Sequence, residues 1–329
     1  MEVVLQDRQI NHFNECMNIL DKSFYLLELS PLGSGKTHVI SKIAQVRKFK
    51  NIFVVCPKSV IPTWEKSRDD YNLPISEGNI ITYESFKTEK LGLFKIKTKE
   101  TEEDTIKIYY PTKKLDNLIE EGCLFVFDEF QKSKNANTSI HIACKTLILR
   151  VSSLSKDYES KVILATGTII DKEQQALGFM QLVGIQKNET LYTNYRGMFE
   201  YEKYGFMEII NYCKSLNENL TKKAIKEGSE REDGTTFLGN DNIHGVIFNL
   251  FYRIILKYFS SEMQTVSYEV PIDIKNGYYI LSDNRSKQLN NEIIQLKNAV
   301  KYNEKTDVIF EGGKNTGSIS TYLKNIEYF

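Results

Sequence analysis

Apolar residues in the first half of the chain come in short blocks rather than in long helical stripes. The blocks at 24–29, 52–55, 80–82, 124–127 and 162–165 are each bounded by turn or charged residues, and several are apolar throughout. Short, wholly apolar runs are what strands covered on both faces require. Stretches of helical length and amphipathic spacing lie between them, so the segment from 24 to about 170 predicts an α/β fold, a parallel sheet with helices on both faces.

Two stretches depart from this alternation. Residues 87–114 are dense in Lys, Glu and Thr, with an alternating piece at 105–110 that predicts a hairpin, and the segment reads as a solvated insertion. Beyond Gly178 the pattern becomes aromatic-rich. Residues 192–212 and 246–258 read as helices, 217–245 as an exposed loop, 266–274 as a strand and 286–302 as a further helix. A mainly helical second region is therefore expected after the sheet. The glycine-rich tail around 312–317 reads as a loop.

Composition narrows the picture. Lys plus Arg and Asp plus Glu balance at 43 each, so the chain offers no general attraction to polyanions, and any nucleic-acid contact has to be a local patch. Cys16, Cys56, Cys123, Cys144 and Cys213 form no CxxC pair and no cluster with the four histidines, which argues against a zinc site or a disulfide framework. The N-terminus lacks a signal-peptide layout and no apolar run reaches membrane-spanning length, so the chain reads as soluble and intracellular, without a membrane partner. The abundance of Asn, Lys, Ile and Tyr suits an AT-rich genome, such as that of a parasite or a large DNA virus.

The chemistry begins at FYLLELSPLGSGKTHVISKIAQV: an apolar strand, a tight glycine loop, then a helix opening at about Gly35. Gly33 and Gly35 let the backbone N–H groups around Ser34 turn toward a phosphate, and the helix N-terminus adds its positive dipole end. Lys36 supplies an ammonium for the β and γ phosphates of ATP, and the Thr37 hydroxyl suits Mg2+. Ser30 stands where the strict pattern has its first glycine. At the second strand end, CLFVF runs into Asp128 and Glu129. Asp128 is the candidate magnesium carboxylate, and Glu129 the candidate base for the attacking water. A third strand, VILA, ends in Thr166, Gly167 and Thr168, whose hydroxyls can bond a neighbouring loop. Three strand-end motifs in this order fall on one crevice of a parallel sheet.

With these residues in place, the chain resembles the superfamily 2 helicases, above all the Swi/Snf-type DNA translocases and the poxvirus-type nucleoside triphosphatases. SPLGSGKT is similar to their motif I, VFDEFQKSKN to motif II of the DEAH kind, and LATGTII to motif III. Leu5 and Gln9 match the family's adenine-reading glutamine pattern. VVCPKSVIPTWEKS and IITYESF are similar to segments that lie along the nucleic-acid strand, which makes Lys58, Ser59, Thr82 and Tyr83 the implied strand contacts. Trp64 reads as a core residue of its helix. The resemblance assigns Gln131, Thr166, Gly167 and Thr168 to coupling between hydrolysis and strand movement.

Phe130 and Gln131 replace the family's usual Ala and His, and Ser30-Pro31 an acidic pair. The resemblance divides the chain into a RecA-like ATP-binding lobe at 1–180, a helical extension at 181–265, and 266–329 as a linker toward a second RecA-like lobe. The arginine-bearing motif VI of that lobe is not found in the sequence. The implied activity is ATP hydrolysis coupled to movement on nucleic acid, DNA ahead of RNA, weak without the second lobe in cis or in trans. The alternative is an ATP-dependent protein switch or clamp, with a small-molecule kinase well behind.

Overall fold

Five strands of the central sheet fall on the apolar blocks read from the sequence. In this computed structural model, which describes residues 2–100, 105–155, 159–195, 198–230, 238–239, 242–263, 300–303 and 306–310, α1 (Asp7–Lys22) precedes β1 (Tyr25–Glu28) and α2 (Lys36–Arg47). β2 (Asn51–Cys56) leads through a 3-10 turn at Lys58–Val60 into α3 (Ile61–Tyr71), and β3 (Ile80–Thr82) runs into α4 (Tyr83–Phe86). The hairpin β4 (Phe94–Glu100) and β5 (Thr105–Pro111) follows, then α5 (Lys113–Glu120), β6 (Cys123–Asp128), α6 (Ser139–Leu154), β7 (Lys161–Ala165) and α7 (Glu173–Leu182). A small hairpin, β8 (Thr193–Tyr195) with β9 (Met198–Glu200), leads to α8 (Gly205–Leu216), α9 (Glu218–Ser229), α10 (Ile243–Leu250) and α11 (Leu256–Phe259), and β10 (Ser260–Ser261) closes the series.

The sheet has the order β10-β1-β7-β6-β2-β3, and every pair in it is parallel. This is a RecA-like α/β arrangement. Strand alternation sorts the core into two layers. Tyr25, Leu27, Phe53, Val55, Phe125, Phe127, Val162 and Leu164 face a cluster that includes side chains of α6, α7, α8 and α10. Leu26, Ile52, Val54, Leu124, Val126 and Ile163 face the opposite cluster, with Cys16 and Leu20 of α1, Val39 and Ile43 of α2 and Trp64 of α3. Blocks that looked uniformly apolar in sequence thus serve two cores.

The topology places β7 between β1 and β6. The turn after β7 therefore sits beside both the phosphate loop and the acidic strand end, and the backbone N–H of Thr166 donates to the Glu28 carbonyl at 2.9 Å.

Several expectations need correction. The segment read as an exposed loop at 217–245 contains α9, whose N-terminus is capped by the Asn217 side chain accepting from Leu220 N at 2.9 Å. Its polar sequence hid the helix because its fully buried residues, Thr221, Ala224 and Ser229, are small, and its apolar Leu220 and Ile225 are only partly buried against the core. The stretch 192–212 begins as the β8–β9 hairpin and becomes helical only at Gly205. The helix expected at 286–302 ends in a strand, since Val300–Asn303 (β11) pairs antiparallel with Thr306–Phe310 (β12). The rest of that stretch, the strand expected at 266–274 and the tail at 312–317 lie outside the described residues. The expected helix at 246–258 is α10 and α11, joined by a π turn at Phe251–Ile255. The expected hairpin at 105–110 is present as β4–β5.

Residues Met1–Val266 form one compact unit and Ser267–Phe329 a second. Among the described residues no helix is long and apolar enough to cross a membrane, and all five cysteines are buried and free.

Candidate nucleotide site

The phosphate loop follows β1 directly and hands over to α2 at Gly35, which is left-handed with φ 97°. Gly33 is also left-handed, with φ 78°. The positive φ at Gly35 is what demands glycine, and a Cβ would also displace the side-chain amide of Gln9. The Lys36 ammonium is buried against the loop and donates to the Ser30 carbonyl at 2.9 Å. Ser34 closes the loop on itself, its hydroxyl donating to the Pro31 carbonyl at 2.6 Å.

Gln9, on the first turn of α1, reaches the same loop. Its Nε2 donates to the Ser34 carbonyl at 3.4 Å and its Oε1 accepts from the Gln6 backbone N at 3.0 Å. A cleft of about 400 Å³ opens here, lined by Gln6, Arg8, Gln9, the loop 33–35, His38 and Tyr71. The His38 and Tyr71 rings meet edge to face at 5.8 Å, giving the cleft an aromatic wall. Neither His38 nor Tyr71 stood out in the sequence, because they come from α2 and α3 and meet only through packing.

At the end of β6, Asp128 is buried and Glu129 half-buried. Burial raises the Asp128 pKa, and the neighbouring Glu129 adds to this, while the Trp64 N–H and the Lys36 charge pull the other way. The Asp128 carboxylate accepts from Trp64 Nε1 at 2.9 Å and from Glu129 N at 3.0 Å, and its backbone carbonyl accepts from Tyr83 Oη at 3.0 Å. Glu129 is held in the left-handed region, φ 55°, as the chain turns into a 3-10 turn at Phe130–Ser133. A non-glycine residue there carries strain on the order of 1–3 kcal/mol. The Gln131 amide pairs with the Glu129 carboxylate, which helps to hold the turn.

Thr166 completes the constellation. Fully buried, it donates from Oγ1 to Gln131 Oε1 at 2.6 Å and accepts from Thr168 N at 3.1 Å. Gly167 and Thr168 are exposed at the tip of that turn. Below them, Lys134 pairs with Asp171, and Gln175 Nε2 donates to Asn135 Oδ1 at 3.3 Å. The strand ends of β6 and β7 are thus joined side chain to side chain. Asp171 and Gln175 were not recognisable in advance, since only the fold brings them to the acidic turn.

The expected strand contacts divide. Lys58 and Ser59 are exposed on the 3-10 turn after β2. Thr82 is half-buried and caps α4, its Oγ1 accepting from Ser85 N at 3.2 Å. Tyr83 corrects the sequence reading: it is 3% exposed, its ring tilted against Phe127, with its hydroxyl spent on the Asp128 carbonyl. It braces the acidic turn and offers no surface to a strand, because α4 turns it back into the core.

The residues fit a magnesium nucleotide. Thr37 and Asp128 offer hard oxygen donors, and a buried carboxylate whose protonated form is favoured by burial is a group that gains from a cation. Among the described residues no group of three or more His, Cys, Asp or Glu side chains makes a metal cage. Magnesium is ordinarily held by one or two carboxylates together with substrate phosphates.

No family model matches the chain. A curated protein of Acanthamoeba polyphaga mimivirus, named "Putative ATP-dependent RNA helicase", is 27% identical over 140 residues, which cover 40% of this chain and 25% of that protein. Among solved structures, a Sulfolobus solfataricus SWI2/SNF2 ATPase core in complex with dsDNA aligns over 100% of this chain and 58% of its own, at 18% identity and TM-score 0.42. The Pyrococcus furiosus Hef helicase domain covers 75% of this chain and 54% of its own, at 15% identity and TM-score 0.36. The match therefore spans a quarter of the curated relative and just over half of each structure. Over those 140 residues the chain is similar to a protein named as a helicase.

Proposed function

We propose that this chain binds ATP with magnesium and serves as the hydrolytic lobe of a nucleic-acid-dependent ATPase of helicase type. The observation that carries the reading is the meeting of three strand ends. The phosphate loop with Lys36, the Asp128-Glu129 turn and the Thr166 turn lie on adjacent parallel strands, the last two linked through Gln131. A crevice outside the carboxyl ends of parallel strands is where such folds place their ligands.

In this reading Lys36 leaves the Ser30 carbonyl to meet the β and γ phosphates, and the loop N–H groups of 33–37 cradle them. Gln9 reads the adenine edge at the mouth of the cleft, where His38 and Tyr71 flank the base. Thr37 and Asp128 hold magnesium, which supplies charge neutralisation on the phosphate oxygens. Glu129 orients the attacking water and takes its proton, with its carboxylate held by Gln131 on the strained turn. Gln131 and Thr166 report the state of Glu129 to the turn at Gly167 and Thr168.

Lys58 and Ser59 present the strand-contacting surface, with Thr82 at its edge. The proposed track is nucleic acid, gripped by a local surface, in keeping with the balanced net charge. Arginine fingers from a second RecA-like lobe, in cis or in trans, complete the site, a contribution of about 10³–10⁵ in rate in comparable enzymes.

The test is ATP binding and turnover by the full chain, wild type beside Lys36→Ala, alone and with duplex DNA, single-stranded DNA or RNA. Binding that Lys36→Ala abolishes, with turnover raised by one of the polymers, supports the reading and identifies the track. Brisk turnover that no polymer alters overturns the nucleic-acid assignment and favours a protein switch.

A further inference from the structure

Trp64 is the one tryptophan of the chain. It lies on α3 with its indole 1% exposed, in the core layer shared with Val54, Cys56 and Val126. Packing alone asks for a large apolar ring and would be met by phenylalanine, but a buried indole N–H also needs an acceptor. It finds one in Asp128 Oδ2 at 2.9 Å, and not in a backbone carbonyl.

The other carboxylate oxygen, Oδ1, accepts from the Glu129 backbone N at 3.0 Å. Each oxygen therefore has one fixed donor, from two different elements, and the carboxylate has a single orientation. The indole N–H can only donate, and its plane is fixed by packing, so the contact keeps one polarity and one direction. Each carboxylate oxygen retains a second acceptor site for a cation or for a water bound to it.

We propose that Trp64 is a positioning residue for the magnesium carboxylate, holding Asp128 in the orientation that receives the metal of the bound nucleotide. This rests on the reading of Asp128 as the magnesium ligand. Partners that orient a metal ligand in this way are commonly worth about 10- to 100-fold in metal affinity.

The experiment measures binding of a fluorescent ADP analogue to the full chain in titrations with and without Mg2+, independent of turnover. Wild type is expected to bind more tightly with Mg2+. Trp64→Phe is expected to keep the Mg2+-free affinity and to lose about tenfold or more of the Mg2+ enhancement, and Asp128→Asn to lose the enhancement as well. The two substitutions combined should cost no more than Asp128→Asn alone, because both act through one carboxylate. A Trp64→Phe protein that retains the full enhancement, or that loses both affinities equally, overturns the inference. Wild type that binds the analogue without any Mg2+ enhancement overturns the underlying magnesium reading instead.

If Trp64→Phe does not fold, the single indole is its own reporter. Wild-type tryptophan emission should change on adding Mg2+ with ADP, and Asp128→Asn should abolish that change. Emission indifferent to Mg2+ and ADP, in a chain shown by the analogue to bind them, sinks the proposal.

Discussion

Thr166 Oγ1 donates to Gln131 Oε1 at 2.6 Å, from a fully buried hydroxyl. This bond helps to tie the turn after β7 to the acidic turn after β6, where Gln131 also holds Glu129. Replacing Thr166 by Val removes the donor while keeping the shape, and leaves Gln131 Oε1 short of a partner. Such a loss costs about 1–3 kcal/mol. Urea denaturation should show a drop in that range. The larger effect is expected in the ratio of polymer-stimulated to basal ATP turnover, which should fall toward one.

Glu129→Gln keeps the size and the pairing potential of the side chain but removes the proposed base. Turnover should fall by about 10²–10⁴, the usual contribution of a positioned general base. Nucleotide affinity, measured by equilibrium titration, should stay within a few-fold of wild type. A variant that loses binding and turnover together would place Glu129 in the cradle and not at the water.

Gly35→Ala meets two obstacles, the left-handed φ of 97° and the Gln9 amide in the path of the new Cβ. The variant should lose nucleotide binding and be less stable by about 1–3 kcal/mol, the scale of a strained backbone position. Adding Gln9→Ala removes the collision but not the backbone strain, so thermal denaturation should show partial recovery. Binding should not recover, since the proposed adenine reader goes with it.

His141 links stability to pH. Its imidazole is buried on α6, with Nδ1 2.7 Å from the Ser133 carbonyl at the end of the acidic turn, and burial lowers its pKa below the ordinary 6.5. The unfolded chain therefore binds a proton more readily than the folded one. This contribution to stability is fully present above pH 6.5 and is lost as pH falls below it toward the depressed folded value. Urea midpoints at pH 7.5 and pH 5.5 should differ for wild type, and the difference should shrink in His141→Asn.

Beneath the phosphate loop, His12 Nε2 lies 3.0 Å from Glu28 Oε1, with both side chains almost wholly enclosed. His12 Nδ1 is 2.8 Å from Ser261 Oγ, which ties β10 to the same group. Removing one member leaves a buried polar atom of the other unsatisfied, at a cost of about 1–3 kcal/mol. Glu28→Ala should therefore lower the urea midpoint sharply. The double variant Glu28→Leu with His12→Leu should regain most of the loss, because both polar groups are then gone.

The strands and the positions of the candidate site residues were legible in sequence for a local reason. Apolar blocks of strand length, a glycine loop before a helix and acids at a strand end each depend on neighbours within a few residues. So Gly33 to Thr37, Asp128, Glu129 and the turn at Thr166 to Thr168 stand at the strand ends where their segments put them. The sheet order was not local, and it alone puts β7 between β1 and β6 and so brings Thr166 onto Gln131.

Where burial depends on partners far away in the chain, the sequence pattern was silent or misleading. Tyr83 looked like a surface contact and is a core residue, because α4 folds it against Phe127 and the Asp128 carbonyl. α9 looked like a loop, because small buried residues and surface ion pairs such as Glu218 with Lys222 carry no apolar stripe. Trp64 announced its burial but not its acceptor. By itself the sequence determined which segments are strands, which glycine loop opens a helix and which acids end a strand, since backbone propensity and side-chain chemistry act over a few residues. Only the tertiary structure decided which hydroxyl meets which amide, and which indole holds the carboxylate, since those contacts join residues tens of positions apart and exist only once the two core layers have closed over the sheet.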